Sequence, residues 1–175
     1  MEMLNSQLMH LYGRRSIRRY TGEAIPREML EQLVQAGMAA PSASNRRPWH
    51  VTVITDRELL NQLAEANPYG KMLPNAAAAF LVSGDTRRMV VGEGRDFWVE
   101  DCAAMTQNIL LAAHSLGYGA VWIGQHPLQN RKQADIEILN LPDYLEPMSL
   151  IAIGIPAESK EARTQYEPEQ VTWRE

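Results

Sequence analysis

Arg14-Arg15-Ser16-Ile17-Arg18-Arg19 sets four guanidinium groups around one hydroxyl within six residues. Guanidinium is a planar fork of donors that stays charged near neutral pH and matches phosphate oxygens two at a time. Like charges this close repel one another, so the run calls for an anion or an acidic partner, unless it is only a solvated basic turn. Two other segments carry groups suited to a polar, planar ligand. Pro41-Ser42-Ala43-Ser44-Asn45-Arg46-Arg47-Pro48-Trp49 holds short hydroxyl and amide side chains between prolines. Such groups read a ring edge or a polyol, and they also make ordinary turns. Gly117-Tyr118-Gly119-Ala120-Val121-Trp122-Ile123-Gly124 closes a strand pattern on glycine, which admits a flat ligand close to backbone or simply ends a buried strand.

Other chemistries find no pattern. His10, His50, His114 and His126 show no metal-ligand spacing, and neither HExxH nor CxxC occurs. No Gly-x-Ser-x-Gly elbow, phosphate-binding Walker loop or dinucleotide fingerprint is present. Cys102, the single cysteine, lies in an apolar helical run and reads as a small buried hydrophobe; one cysteine also excludes an intrachain disulfide and fits a reducing compartment. An enzyme without its own nucleophile or metal borrows its chemistry, and an organic cofactor is the natural source.

The elements that must position these residues follow from periodicity. Met3 to Tyr12, with Leu4, Leu8 and Leu11, predicts a short helix ending at Gly13, which leaves the arginine run in a loop at a helix exit. A second helix opens at Pro26, buries Met29, Leu30, Leu33, Val34 and Gly37, and stops before Pro41. Strands are predicted over 50–55, 76–83, 119–124 and 148–155, and helices over 58–66 and 129–139. Phe97 to Leu116 predicts a helix that is apolar or small on nearly every face after Glu100 and Asp101, as a helix buried on all sides would be. A chain of 175 residues has limited means to surround such a helix, which points to a dimer core. The polar tail from 156 to 175 ends in Val171-Thr172-Trp173 and is expected to lie on its own domain or on a partner. Mixed helices and strands without regular alternation place the chain in the α+β class, as one domain spanning 1–175.

Composition agrees with a cytoplasmic, soluble protein: 45% hydrophobic, 22% charged, net charge −4 and no apolar stretch long enough to span a bilayer. The acidic balance argues against nucleic acid as a partner and the apolar runs against a membrane. Arginine supplies 14 of the 17 basic residues, with only Lys71, Lys132 and Lys160 besides, which suits fixed anion contacts better than loose surface charge.

In order along the chain, Arg14-Arg15-Ser16-Ile17-Arg18, Ala40-Pro41-Ser42-Ala43-Ser44-Asn45 with Pro48-Trp49-His50, Tyr69-Gly70-Lys71-Met72-Leu73, Trp98 at the head of a long helix, Val121-Trp122-Ile123-Gly124, and Gly154-Ile155-Pro156-Ala157 with Arg163 resemble the FMN-dependent nitroreductase family, particularly its short members. The resemblance implies an intertwined α+β homodimer with a central mixed or antiparallel sheet flanked by helices, and two FMN sites built from both subunits. It assigns Arg14, Ser16, Arg18 and Arg163 to the phosphate and ribityl chain, and Arg15 to a place along the flavin. Pro41, Ser42, Ser44 and Asn45 would come from the other subunit, and Ile123 and Gly124 would pack on the ring and offer N–H groups to its reactive edge. Tyr69, Lys71 and Trp98 become acceptor-pocket candidates. No catalytic side chain and no metal is implied, because the chemistry belongs to the flavin N5. The activity implied is ping-pong reduction of nitroaromatics, quinones or similar electron-poor acceptors at the expense of NADH or NADPH. Dehalogenation or dehydrogenation on the same scaffold, and a non-catalytic flavin-storage dimer, are the alternatives. Two departures stand out: Arg47 replaces a frequent Gln, and residues 84–96 leave room for only a small lid.

Overall fold

Short runs rich in Val, Ile, Leu and Ala pair into one sheet in the computed structural model, which describes residues 5–175. The strands are β1 (Trp49–Ile54), β2 (Ala78–Asp85), β3 (Gly119–Gly124) and β4 (Leu145–Gly154), in the order β1-β2-β4-β3. Every neighbouring pair is antiparallel, so of the two sheet types expected the antiparallel one is found. The central strands are covered on both faces, which is why their sequences run apolar without alternation. Both start or stop outside the predicted limits. Ser83, Gly84 and Asp85 stay in β2 because Pro147, Glu146 and Leu145 pair with them. A register shift at Val82/Ser83 fits the ladder around Pro147, the residue whose missing N–H made the start of β4 unreadable.

Among the described residues, five helices flank the sheet: α1 (Met9–Tyr12), α2 (Arg27–Met38), α3 (Arg57–Ala66), α4 (Phe97–Ser115) and α5 (Gln129–Leu139). Pro26 caps α2 where its lack of an N–H is harmless, and Asp56 caps α3 by accepting from the Leu59 N–H at 3.0 Å. A short 3-10 turn (Ser6–Leu8) precedes α1, and the Met3 and Leu4 part of the expected first helix lies outside the described residues.

The sheet separates two cores. On one face α2 and α4 enclose Leu33, Phe80, Met105, Ile109 and Ile151. On the other, Leu60, Leu63, Leu73, Leu81 and Leu150 gather beneath α3 and α5. Gly37 lets α2 and α4 touch, since a Cβ there would stand 2.7 Å from Ile109 Cγ1. The expectation that α4 is buried on all sides needs correction at the level of one protomer. Glu100 and Gln107 are exposed, and Ala103, Ala104 and Leu111 are half-buried, forming a stripe of mostly small residues along one side. The tail is fastened to its own domain as far as Arg163, whose N–H donates to the Tyr12 carbonyl, and beyond that leaves Tyr166 and Trp173 exposed. Among the described residues, no helix is long and apolar enough to cross a membrane.

Candidate functional site

The arginine run is extended chain bound to the open edge of β3. Ser16 forms a parallel bridge with Ala120, and the Ile17 N–H donates to the Ala120 carbonyl at 3.0 Å. Further on, the Thr21 N–H donates to the Ile155 carbonyl at 3.0 Å and the Ala157 N–H to the Arg19 carbonyl at 2.8 Å. The run is thus sewn between β3 and the segment leaving β4. Ile17 fills the space that makes residue 119 a glycine, since a Cβ on Gly119 would meet Ile17 Cγ2 at 2.7 Å.

The same stitching recruits the tail. Arg15 donates from Nη1 to the Glu161 carbonyl, the Arg163 N–H donates to the Tyr12 carbonyl at 3.0 Å, and Lys160 Nζ donates to the Ser16 carbonyl at 2.6 Å. Glu158 accepts from the Arg18 N–H at 2.6 Å; that bond, ahead of the neighbouring Lys160, holds its carboxyl below the usual range. Lys160 therefore belongs with the arginines, although nothing in its sequence context marked it.

The cluster holds a counter-charge, Glu158, which pairs with Lys160 at 3.4 Å and leaves the arginines to one another. Burial, then the charges of Arg163 and Arg15, push the Arg14 guanidinium below its ordinary value. His114, beside Gly13, is held down by burial and next by Arg14. Among the described residues, no carboxylate forms an ion pair with Arg14, Arg15, Arg18, Arg19 or Arg163. A positive cluster that is partly desolvated and unneutralised is a seat for an anion.

Next to it a recess of about 270 Å³ is lined by Arg18, Tyr69, Val121, Trp122, Ile123, Gly124 and Arg131. Gly124 faces open space: a Cβ there would meet nothing within 4 Å. The structure thus strings these residues along β3: Arg14 and Arg15, with Arg163 beside Arg14, lie level with its start, and Arg18 lines the recess at its far end with Tyr69, Ile123 and Gly124. Ser16 sits within that segment, and Lys71 is exposed on the Tyr69 turn. Trp122 and Arg131 were missed as lining residues. Trp122 had a readable sign, since it turns outward between buried Val121 and Ile123. Arg131 lay in a helix whose polar residues showed no face.

Two groups of predicted residues stand apart. Trp98 is a core residue in this protomer, 5% exposed, with its ring edge-on to His126 at 5.2 Å and packed where Gly84 has no Cβ. The expectation that it lines an open pocket is corrected accordingly: it heads α4 on the sheet side of that helix. Pro41, Ser42, Ser44 and Asn45 occupy a loop fastened at the opposite end of α4, where the Ala43 N–H donates to Asp101 Oδ1 at 2.8 Å. The loop is held open by left-handed backbone at Ser44 (φ 50°), Asn45 (φ 51°) and Arg47 (φ 47°), and Ser42 Oγ accepts from the Arg47 N–H at 2.9 Å. Asp101 and His114 are separated along α4 by on the order of 20 Å at 1.5 Å per residue. Within one protomer the loop and the arginine cluster therefore lie at opposite ends of α4.

A larger recess of about 780 Å³, beside the outer edge of β1, is lined by Ile25, Leu30, Val34, Val53 and Arg57 among others and contains none of the predicted site residues. No group of three or more His, Cys, Asp or Glu among the described residues is placed to hold a metal ion.

The family model described as the nitroreductase family matches residues 11–82 and 65–155. A protein of Archaeoglobus fulgidus named as a candidate NADH dehydrogenase/NAD(P)H nitroreductase is 42% identical over 167 residues, 94% of this chain and 95% of that one. A crystal structure of a protein of the same description from Parabacteroides distasonis superposes with a TM-score of 0.90 at 35% identity, covering 98% of this chain and 99% of its own. A candidate nitroreductase from Desulfovibrio desulfuricans, solved in complex with FMN, superposes with a TM-score of 0.82 at 31% identity over 99% of both chains.

Proposed function

The chain belongs to the nitroreductase family, and on that premise we propose that it is an FMN-dependent oxidoreductase working as a homodimer. It takes reducing equivalents from NADH or NADPH and passes them to nitroaromatics, quinones or similar electron-poor small molecules. The observation that carries this reading is the cluster of Arg14, Arg15 and Arg163 at the start of β3, unpaired with any carboxylate among the described residues and continued by Arg18 to the recess at the strand's other end. The residues fit the cofactor. A phosphate offsets the cluster's repulsion through charge-assisted bonds, and the space in front of Gly124 leaves room for a flat ring.

In this assignment Arg14, Ser16, Arg18 and Arg163 bind the phosphate and polyol, and Lys160, paired with Glu158, holds the Ser16 backbone in place. Ile123, whose side chain is buried in the core, and Gly124 would bring backbone to the ring edge. Bound FMN supplies alternate acceptance and donation of a hydride, so reductant and acceptor use the same place in turn. The protein's share is orientation and a fixed positive field, which favours an electron-rich ring without any reorganisation of the site. No side chain is required to act as nucleophile. Tyr69 and Lys71 stand at the mouth of the recess, where an acceptor meets the protein.

The second copy follows from reading the loop and the arginine cluster as two half-sites. A two-fold axis crossing α4 brings the Pro41–Asn45 end of one protomer to the arginine end of its partner. The half-buried stripe of Ala103, Ala104 and Leu111 provides the small-residue face on which two such helices pack. The exposed Trp173 tail is then free to lie on the partner. Absorbance of the purified protein with and without added FMN, followed by anaerobic titration with NADH and NADPH, tests the proposal. Bleaching and then recolouring by a nitroaromatic or quinone is the expected result. Failure to take up FMN contradicts the assignment, and bleaching without acceptor turnover leaves a flavin-binding protein in its place.

A further inference from the structure

A chain of buried amides runs beneath the recess and ends on a carboxyl that the reaction does not use. The Tyr69 N–H donates to Asn67 Oδ1 at 3.0 Å, Asn67 Nδ2 donates to Gln125 Oε1 at 3.2 Å, and Gln125 Nε2 donates to Asp135 Oδ1 at 3.2 Å. Asn67, Gln125 and Asp135 are buried, Gln125 completely. One turn earlier on the same face of α5, Arg131 donates from Nη1 to the Gly124 carbonyl at 2.9 Å and lays its guanidinium 4.9 Å from the centre of the Tyr69 ring. The Tyr69 turn and the end of β3 are the two walls of the recess, and α5 grips both, from below through Asp135 and from above through Arg131.

Stability alone does not explain this arrangement. Asp135 Oδ2 is buried without a hydrogen-bond partner, and a buried polar chain with an open end is worth less to the fold than apolar side chains of the same shape. Burial pushes the Asp135 carboxyl up to about 7. The charged groups around it do not reverse this: Lys132 is engaged by Glu146 of β4 at 3.2 Å, Arg57, Glu58 and Glu65 of α3 are exposed, and β3 carries no charge. A neutral carboxyl is enough for the chain, because Gln125 needs only an acceptor from it.

We infer that Asp135, acting through Gln125 and Asn67, and Arg131, acting through Gly124, are positioning residues that set the gap between Tyr69 and the end of β3, and with it the size of acceptor the enzyme admits. This role rests on the acceptor-pocket reading given above. Gln125→Leu cuts the chain and frees the turn; its KM for a small quinone is expected to rise about fivefold, the scale of coupling between residues in one network. The FMN dissociation constant, followed by flavin fluorescence, stays within about twofold because the phosphate seat is untouched. At pH 6, Asp135→Asn keeps an acceptor for Gln125 and behaves as wild type, whereas Asp135→Leu behaves as Gln125→Leu. Combined with Tyr69→Ala, Gln125→Leu adds nothing further to KM. If Gln125→Leu does not fold, Asn67→Ser serves in the same cycle.

Additive effects of Gln125→Leu and Tyr69→Ala would overturn the inference, as would an Asp135→Asn enzyme as impaired as Asp135→Leu. Loss of FMN by Gln125→Leu would also overturn it, by making the chain a support of the flavin bed. A Tyr69→Ala enzyme with unchanged KM would remove the acceptor-pocket reading itself.

Discussion

The two half-sites at the ends of α4 are built by opposite means. At the C-terminal end the Arg14–Arg19 run is regular extended chain, bonded to Ala120, Ala157 and Glu158, and its chemistry lies in concentrated charge. At the N-terminal end the Pro41–Arg47 loop carries three non-glycine residues in left-handed backbone and is tied to Asp101, and its chemistry lies in short polar groups held in one shape. The first half can attract an anion by itself. The second has no ligand to read until another protomer brings one. In the proposed reading, charge decides where the cofactor is seated, and shape makes the complete site need two chains.

The largest effect separating the halves is expected from Arg14→Ala. Losing a charge-assisted contact of about 2–3 kcal/mol weakens FMN binding by about 30- to 150-fold, read by flavin fluorescence, while circular dichroism and dimer mass stay unchanged. Retention of wild-type affinity would remove the phosphate seat from this end. A smaller effect is expected from Ala104→Arg, which sets a charge on the half-buried stripe and withdraws the loop half by separating the protomers. Sedimentation should show the dimer dissociation constant raised at least about tenfold, with flavin affinity falling alongside. A flavin-loaded dimer persisting in Ala104→Arg would mean that α4 is not the shared face. Ala113 cannot serve for this test, since it is wholly buried inside its own protomer. The smallest effect belongs to Arg19→Ala, where an exposed side chain leaves only its carbonyl in use; FMN affinity should change less than about twofold.

The strands were largely legible because their apolar runs are uninterrupted, as in β3, whose limits coincide with those read from sequence, and the limits of α5 were read equally well although it shows no apolar face. β4 was misjudged at its start because Pro147 looks like a stop and the bulge that accommodates it depends on β2. The arginine run was legible through residue type. Lys160 was not, because its place beside Ser16 comes from the path of the tail and not from a pattern. Trp98 misled because a tryptophan at the head of a helix reads equally as a wall or a core residue, and only the absent Cβ of Gly84 decides. Asn67, Gln125 and Asp135 were invisible for a similar reason: far apart in sequence, they meet only when α3, β3 and α5 close over one another.

The central claim is that each complete site takes its arginines from one protomer and its Ser44–Asn45 loop from the other. Arg14→Ala and the double variant Ser44→Gly/Asn45→Gly, which keeps the left-handed backbone but removes the polar side chains, are each expected to be nearly inactive alone. Co-refolding the two in equal amounts measures the claim directly. If sites are shared, half of the dimers are mixed and each mixed dimer owns one intact site, so activity and bound flavin recover to roughly a quarter of wild type. No recovery on mixing would show that each protomer builds its site alone, contrary to this account.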